Sequence, residues 1–550
     1  MVTRRTFLTI TVVTMLLIGF FVMPGRALAA NTCIWSGANP GNWSNPVNWT
    51  SCGGTYPGAS DSATINSGSV NLDISASVTN LTLTAGILTG TQNIAISDAL
   101  DWTGGSMTGT GVTNLAAAGT MTTSAINNLT LNTRTFNNSG TVNWTSTGYL
   151  LFNSNATFNN LSGAAFNVLS TGTYLFFANA GSFNNQAGAT FTKSTSSDLT
   201  VYNMDSFNNA GTMILTGSGV LSLYLSPTST STHSGAFQVN NANATLTFQA
   251  GTHNLNSGAN ISGAGHVIFA GGAENIHSIY NVSASTLVSG GSANFASDST
   301  LTNLGTLSIT AGILNLSTGK PHSMSTLTQT GGTLTGSDTI TITSALDWTG
   351  GSMTGTGVTN LAAAGTMTTS AINNLTLDTR IFNNSGTVNW SSTGYLLFNS
   401  NATFNNLSGA VFNALSAGTY LFFANAGNLV NSGTLNLPNN SAIYNIQFTQ
   451  TASGVINMPV SSTVAGAGFC QFITTSTVLN GTLNLTLSGG YLPALSDSFS
   501  LITYTTRTGA FSKISIPFLN PGRVWGPLYK SNHMEIDALH GIFMPVLAKP

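Results

Sequence analysis

The sequence predicts an all-β chain folded as an elongated parallel β-helix with β caps at its N- and C-terminal ends, and three observations carry that prediction. Residues 99–181, opening A-L-D-W-T-G-G-S-M-T-G-T-G, return as residues 345–427 with six differences. From within the block onward, Phe136, Phe158, Phe183 and Phe207 each open a Phe-Asn-Asn stretch soon followed by Gly, at spacings of 22, 25 and 24 residues. Periods in the twenties mark solenoids, whose units bury their apolar face only by stacking on one another. Finally, each unit carries short apolar runs such as Val142-Asn143-Trp144, Met213-Ile214-Leu215 and Phe237-Gln238-Val239, bounded by Gly, Asn and Ser. Runs this short between turn formers read as strands.

A second run per unit, such as Tyr149-Leu150-Leu151-Phe152, places Phe152, Phe177, Tyr202, Tyr224 and Phe248 at intervals of 25, 25, 22 and 24. One coil lies about 4.8 Å from the next, so these rings are expected to form a ladder, one per coil. Stacked amides can pair along the axis in the same way, which predicts Asn ladders through the Phe-Asn-Asn stretches. The solenoid is expected over residues 69–480, on the order of 17 coils and roughly 80 Å long. The duplicated blocks would then lie about ten coils apart.

Only 5% of the 550 residues are charged, while 41% are hydrophobic. Ordinary soluble domains carry about 25% charge, and the apolar content argues against disorder. Nucleic acid is excluded as an expected partner, because phosphate recognition needs clustered Lys and Arg.

Residues 1–29 read as a signal peptide: Arg4 and Arg5, an apolar run from Phe7 to Met23, and Ala27-Leu28-Ala29 before the cleavage point. Thr3-Arg4-Arg5-Thr6-Phe7-Leu8 resembles a twin-arginine signal, but the strongly apolar core fits general secretion better. Export would place the mature chain outside the cytoplasm, and no later segment is long and apolar enough to span a bilayer. Cys33 and Cys52 flank one Trp-rich stretch and can pair in an oxidising compartment, leaving Cys470 single and buried.

Residues 30–68 hold Trp35-Ser36-Gly37, Gly41-Asn42-Trp43, Asn48-Trp49 and Pro57-Gly58-Ala59-Ser60-Asp61-Ser62-Ala63-Thr64-Ile65. The order W-x-G, G-x-W, N-W, P-G-x-x-D-x-A-x-I resembles the start of the passenger region of autotransporter-like bacterial surface β-helix proteins. These Trp residues are expected to close the open end of the solenoid, and sugar binding by exposed Trp is the alternative. Residues 481–540 carry Gly481-Thr482-Leu483-Asn484-Leu485, Asp497-Ser498-Phe499-Ser500-Leu501-Ile502 and Gly509-Ala510-Phe511, which resembles the closing section of secreted β-helix proteins. Residues 541–550 form a short apolar tail. The resemblance covers the ends and the repeats and lacks the outer-membrane barrel module of autotransporters.

Chemistry-bearing residues are scarce. Asp98 and Asp101 are the closest carboxylates of the solenoid, yet a spacing of three points strand residues to opposite faces, and Ser344 replaces Asp98 in the second copy. Asp198 and Asp205 stand near Lys193, the nearest approach to the acidic cluster and base of a β-helix polysaccharide lyase. His253 and His277 are one period apart, with His233 and His266 in the same region. Zinc needs three or four converging ligands, so these histidines are expected to be solvated. Thr82-Leu83-Thr84, Thr333-Leu334-Thr335 and Thr339-Ile340-Thr341 resemble the Thr arrays of ice-binding solenoids, although any β-helix strand alternates in this way.

No catalytic, cofactor-binding or metal residue is assigned, and no enzyme activity or cofactor is expected. The expected function is that of a secreted bacterial surface or matrix protein, structural or adhesin-like, presenting a neutral Thr/Asn/Ser-rich rod to glycans or cell-surface and matrix components. A β-helix lyase or hydrolase is the first alternative and an ice-binding solenoid the second.

Overall fold

A computed structural model of the chain describes residues 30–37, 39–370, 372–416, 418–519 and 523–540. The signal peptide expected at residues 1–29 and the apolar tail expected at residues 541–550 lie outside the described residues. The described chain is all-β, a parallel β-solenoid of about 18 turns with 59% strand. No helix in it is long and apolar enough to cross a membrane.

Each coil has three short strands, so the solenoid has three faces. One coil shows the pattern: Thr135–Asn138 on the first face, Thr141–Trp144 on the second and Leu150–Asn153 on the third. The chain then returns to the first face with Ala156–Asn160, pairing Phe136 with Phe158 in parallel register. Four-residue strands alternate inward and outward. In Phe-Asn-Asn this buries the Phe and the second Asn and turns the first Asn outward.

The expected ladders form. Phe136, Phe158, Phe183 and Phe207 stack with centroids 4.7, 5.6 and 5.1 Å apart. Inward Asn138, Asn160, Asn185 and Asn209 pass amide hydrogen bonds of 2.8 Å along the axis. Asn138 Oδ1 also accepts from the N–H of Gly140, and its Nδ2 donates to the Ala165 carbonyl of the next coil. At this corner the second Asn therefore satisfies backbone groups of its own coil and of the next. A Cβ on Gly140 would stand 2.1 Å from the Gly119 carbonyl oxygen, so only glycine fits there.

The second aromatic ladder differs from the expectation. Phe152 pairs with Ala178 and points into the core, while Leu151 is the partner of Phe177. The outer ladder is Phe177, Tyr202 and Tyr224, with centroids 4.9 Å apart at each step, and Phe248 is again inside. Consecutive buried Leu175 and Phe176, with a register shift beside them, absorb inserted residues within the strand and reverse which side chains face out.

The duplicated blocks are not stacked on the same faces. From Phe136 the first-face column runs through eleven coils to Leu377. Phe382, the counterpart of Phe136, lies one face further on, in the column of Ile340 and Thr359. The separation is thus eleven coils and a third, more than the ten expected, because the intervening coils are shorter than those of the block.

At the N-terminal end, Thr32–Trp35 pairs antiparallel with Trp49–Thr50 and parallel with Ser62–Ile65. Trp35, Trp43 and Trp49 are buried and meet edge to face, so they offer no open ring to a sugar. Cys33 and Cys52 form a disulfide, and Cys470 is buried and free. At the other end, Ser498–Gly509 pairs antiparallel with His533–His540, which pairs antiparallel with Arg523–Tyr529.

Candidate functional site

Outward Asn columns dominate the surface chemistry. Asn114, Asn137, Asn159, Asn184 and Asn208 form one, each amide donating to its N-terminal neighbour at 2.9 Å. Asn389, Asn413, Asn436, Asn457 and Asn484 form another with the same polarity, at 2.6 to 2.9 Å. The buried columns run the opposite way: Asn138 donates to Asn160, and Asn384 to Asn406. On the Phe-Asn-Asn strands the outer and inner amide columns therefore run with opposed polarity.

The carboxylates singled out by sequence do not converge. Asp98 and Asp101 are both exposed, contrary to the opposite-face expectation, because the strand bends between its two runs beside a register shift. Lys193 turns into the core and donates to the Thr195 carbonyl at 2.9 Å, with burial lowering its pKa to about 8. Asp198 and Asp205 are exposed, and Asp198 Oδ1 accepts from the Val220 N–H. Lys193 is thus turned away from solvent, and the three residues do not assemble the acid cluster and base of a lyase. A Cys33, Cys52 and Asp61 cluster lies within metal-ligand reach. Its sulfurs are joined in the disulfide, and Asp61 accepts from Asn31 and Gly58.

The histidines correct the sequence reading. His277 is exposed beside Asp298 at 2.7 Å, and His266 meets Ser285 at 2.6 Å. His233 and His253, by contrast, are fully buried, because their strand positions are inward ones. His233 follows Asn209 in the column, its Nδ1 accepting from the Asn209 N–H at 3.3 Å and its Nε2 lying 3.1 Å from His253 Nδ1. Glu274, the rung after His253, is also buried, with neither carboxylate oxygen hydrogen-bonded. Burial lowers the pKa of His253 to about 3 and raises that of Glu274 to about 9. All three are neutral at physiological pH.

Sequence analysis also missed two buried arginines. Arg134 Nε donates to Thr113 Oγ1 at 2.8 Å, and its terminal nitrogens reach the Thr108 and Gln92 carbonyls at 3.0 and 3.3 Å. Arg380 repeats this in the second copy with Thr359 Oγ1, Thr354 O and Asp338 O. Each guanidinium braces the corners of successive coils, and its planar fork suits several carbonyls at once.

Among the described residues the second face is interrupted once, in the middle of the rod. Thr300–Asn303 pairs with the preceding coil, and residues 322–324 pair with the following one. Among the described residues no ladder pairing joins these two segments. Pairing is held on one side by the Ser317 N–H to the Phe295 carbonyl, and resumes on the other at Leu307 and Leu327. Between them opens a cleft of about 510 Å³ lined by Leu301, Asn303, Leu304, His322, Met324 and neighbouring Ser and Thr. His322 is held from behind: its Nε2 lies 2.8 Å from Thr318 Oγ1 and 3.2 Å from Asp338 Oδ2. Buried Asp338 also accepts from the Thr318 hydroxyl and from the Thr318 and Gly319 N–H groups. This fixes Nε2–H as the donor, and in the neutral ring Nδ1 is the acceptor. The sequence signal was Gly319-Lys320-Pro321, a cation and a proline set among uncharged repeats.

No protein family model and no curated protein matches this chain.

Proposed function

We propose that the protein is a secreted bacterial surface or matrix component whose work is structural and adhesive, without a catalytic step, and that it shares the design of autotransporter-like adhesin passengers. The observation that carries this reading is the pair of five-residue outer Asn columns, set on a rod with almost no charge. Regularly spaced neutral amides suit many weak hydrogen bonds to glycans or matrix chains, which act together through multivalency. The disulfide between Cys33 and Cys52 supports an oxidising compartment. The terminal strand arrangements serve as caps that cover the open ends of the stack.

Fractionating the source cells tests the reading. Recovery from the cell surface or matrix, with binding of purified rod to cells or extracted glycans, is the expected result. Recovery from the cytoplasm would refute export. Depolymerisation of pectin or alginate, lost on Asp198→Ala or Asp205→Ala, would establish a lyase instead, and faceted ice crystals in dilute solution would establish ice binding.

A further inference from the structure

The geometry points to the cleft between Thr300–Asn303 and residues 322–324 as a binding slot for a short, neutral, extended peptide segment that completes the second face by strand addition. In a parallel ladder each strand hydrogen-bonds one neighbour through alternate residues and the other neighbour through the rest. Thr300–Asn303 uses one edge on the preceding coil, and residues 322–324 use one edge on the following coil. Their remaining edges face each other across the cleft, and pairing closes again at either side of it. The ladder that runs through the rest of this face is thus open at both walls of one slot, the arrangement that strand addition recognises.

The walls define the occupant. The cleft volume of about 510 Å³ lies within the range of ligand pockets. No Asp, Glu, Lys or Arg is among its lining residues, so a charged segment would lose solvation without a partner. Two inward positions are set by the columns they would join. One lies between Leu301 and His322, where the Nδ1 acceptor calls for a hydroxyl or amide donor. The other lies by Leu304 and Met324, where an apolar side chain fits. The sequence recognised is therefore a donor residue, any outward residue and a small apolar residue. Pro321 has no N–H to offer a ladder, so the second wall begins at His322.

The test uses the full chain with ¹³C-labelled histidine, the His322 ring signal being assigned by its loss in His322→Gln. Acetyl-Gly-Thr-Ser-Val-Gly-amide is expected to shift that signal saturably while leaving the His277 ring unmoved. Methylating the Ser and Val backbone nitrogens is expected to weaken binding about tenfold or more, since ladder donors are lost. Thr302 is exposed at the rim, so Thr302→Trp should block the response without altering the melting transition. Equal binding of the methylated peptide would overturn the proposal. So would a response to maltohexaose in place of the peptide, or no shift up to about 5 mM peptide, beyond the range of a weak millimolar complex.

Discussion

His233 Nε2 stands 3.1 Å from His253 Nδ1 in the core, and the Asn209 N–H donates to the other nitrogen of His233. With His233 Nδ1 accepting, its Nε2 carries the proton and donates to His253 Nδ1. His253 must then carry its own proton on Nε2, which has no partner. The buried Asn column thus passes into an imidazole chain whose links from Asn209 through His233 to His253 hold only while both rings are neutral. The rung beyond them, Glu274, is a carboxylic acid that must keep its proton.

Stability is accordingly expected to fall on both sides of mildly acidic pH. Both histidines have folded pKa values below the unfolded value of 6.5. The unfolded chain binds more protons there, and stability drops as pH falls from about 6.5 toward 3. Glu274 has the opposite sign. Its folded pKa of about 9 exceeds the unfolded 4.5, so the native state holds the extra proton and stability drops as pH rises across that window. Glu274→Gln should flatten the alkaline limb in pH-dependent denaturation, and an unchanged limb would show that Glu274 does not titrate in the core.

Inner and outer amides should differ sharply on truncation. Asn160→Ala strips a buried rung and leaves Asn138 Nδ2 and the Thr190 carbonyl short of a partner, a loss of about 2–3 kcal/mol. Asn159→Ala on the outer column, where water replaces the lost amide, should lose under about 1 kcal/mol. Urea unfolding of the two variants compares them directly, and equal losses would contradict the ladder account.

Arg134→Lys is expected to destabilise nearly as much as Arg134→Ala, by about 2–4 kcal/mol, because an ammonium cannot meet Thr113, Thr108 and Gln92 together. The local opening should appear as faster amide exchange near residues 108–113. A fully tolerated lysine would mean that charge alone matters at this corner.

Adhesion by neutral amides should resist salt. If the proposed adhesive role holds, binding of the rod to a glycan or matrix chain is expected to change little between roughly 0.05 and 0.5 M salt, a range over which surface ion pairs are strongly screened. A steep decline, measured on immobilised partner, would point to the few terminal charges instead.

Much of the solenoid was legible in the sequence because Phe136, Phe158, Phe183 and Phe207 recur at a nearly constant interval, and their registers follow that interval. The aromatic run from Phe152 to Phe248 misled because inserted residues shift the register inside the strands, so equal spacing no longer means equal direction. His233 and His253 resembled solvated residues in composition alone, and only their parity within the strands decided their burial. The slot beside His322 left no signal beyond Gly319-Lys320-Pro321, for another reason. It arises from a ladder that fails to pair, and the 22-residue spacing from Thr300 to His322 is that of an ordinary coil.

The third-of-a-turn offset between Phe136 and Phe382 makes length and heading inseparable. Two nearly identical 83-residue segments invite recombination, and a crossover between them would excise 246 residues. The surviving chain would still pair rung on rung, since the joined segments are interchangeable. Everything distal to the join would be carried inward by eleven coils and swung round by one face, so the far end would aim in a new direction as the rod shortened.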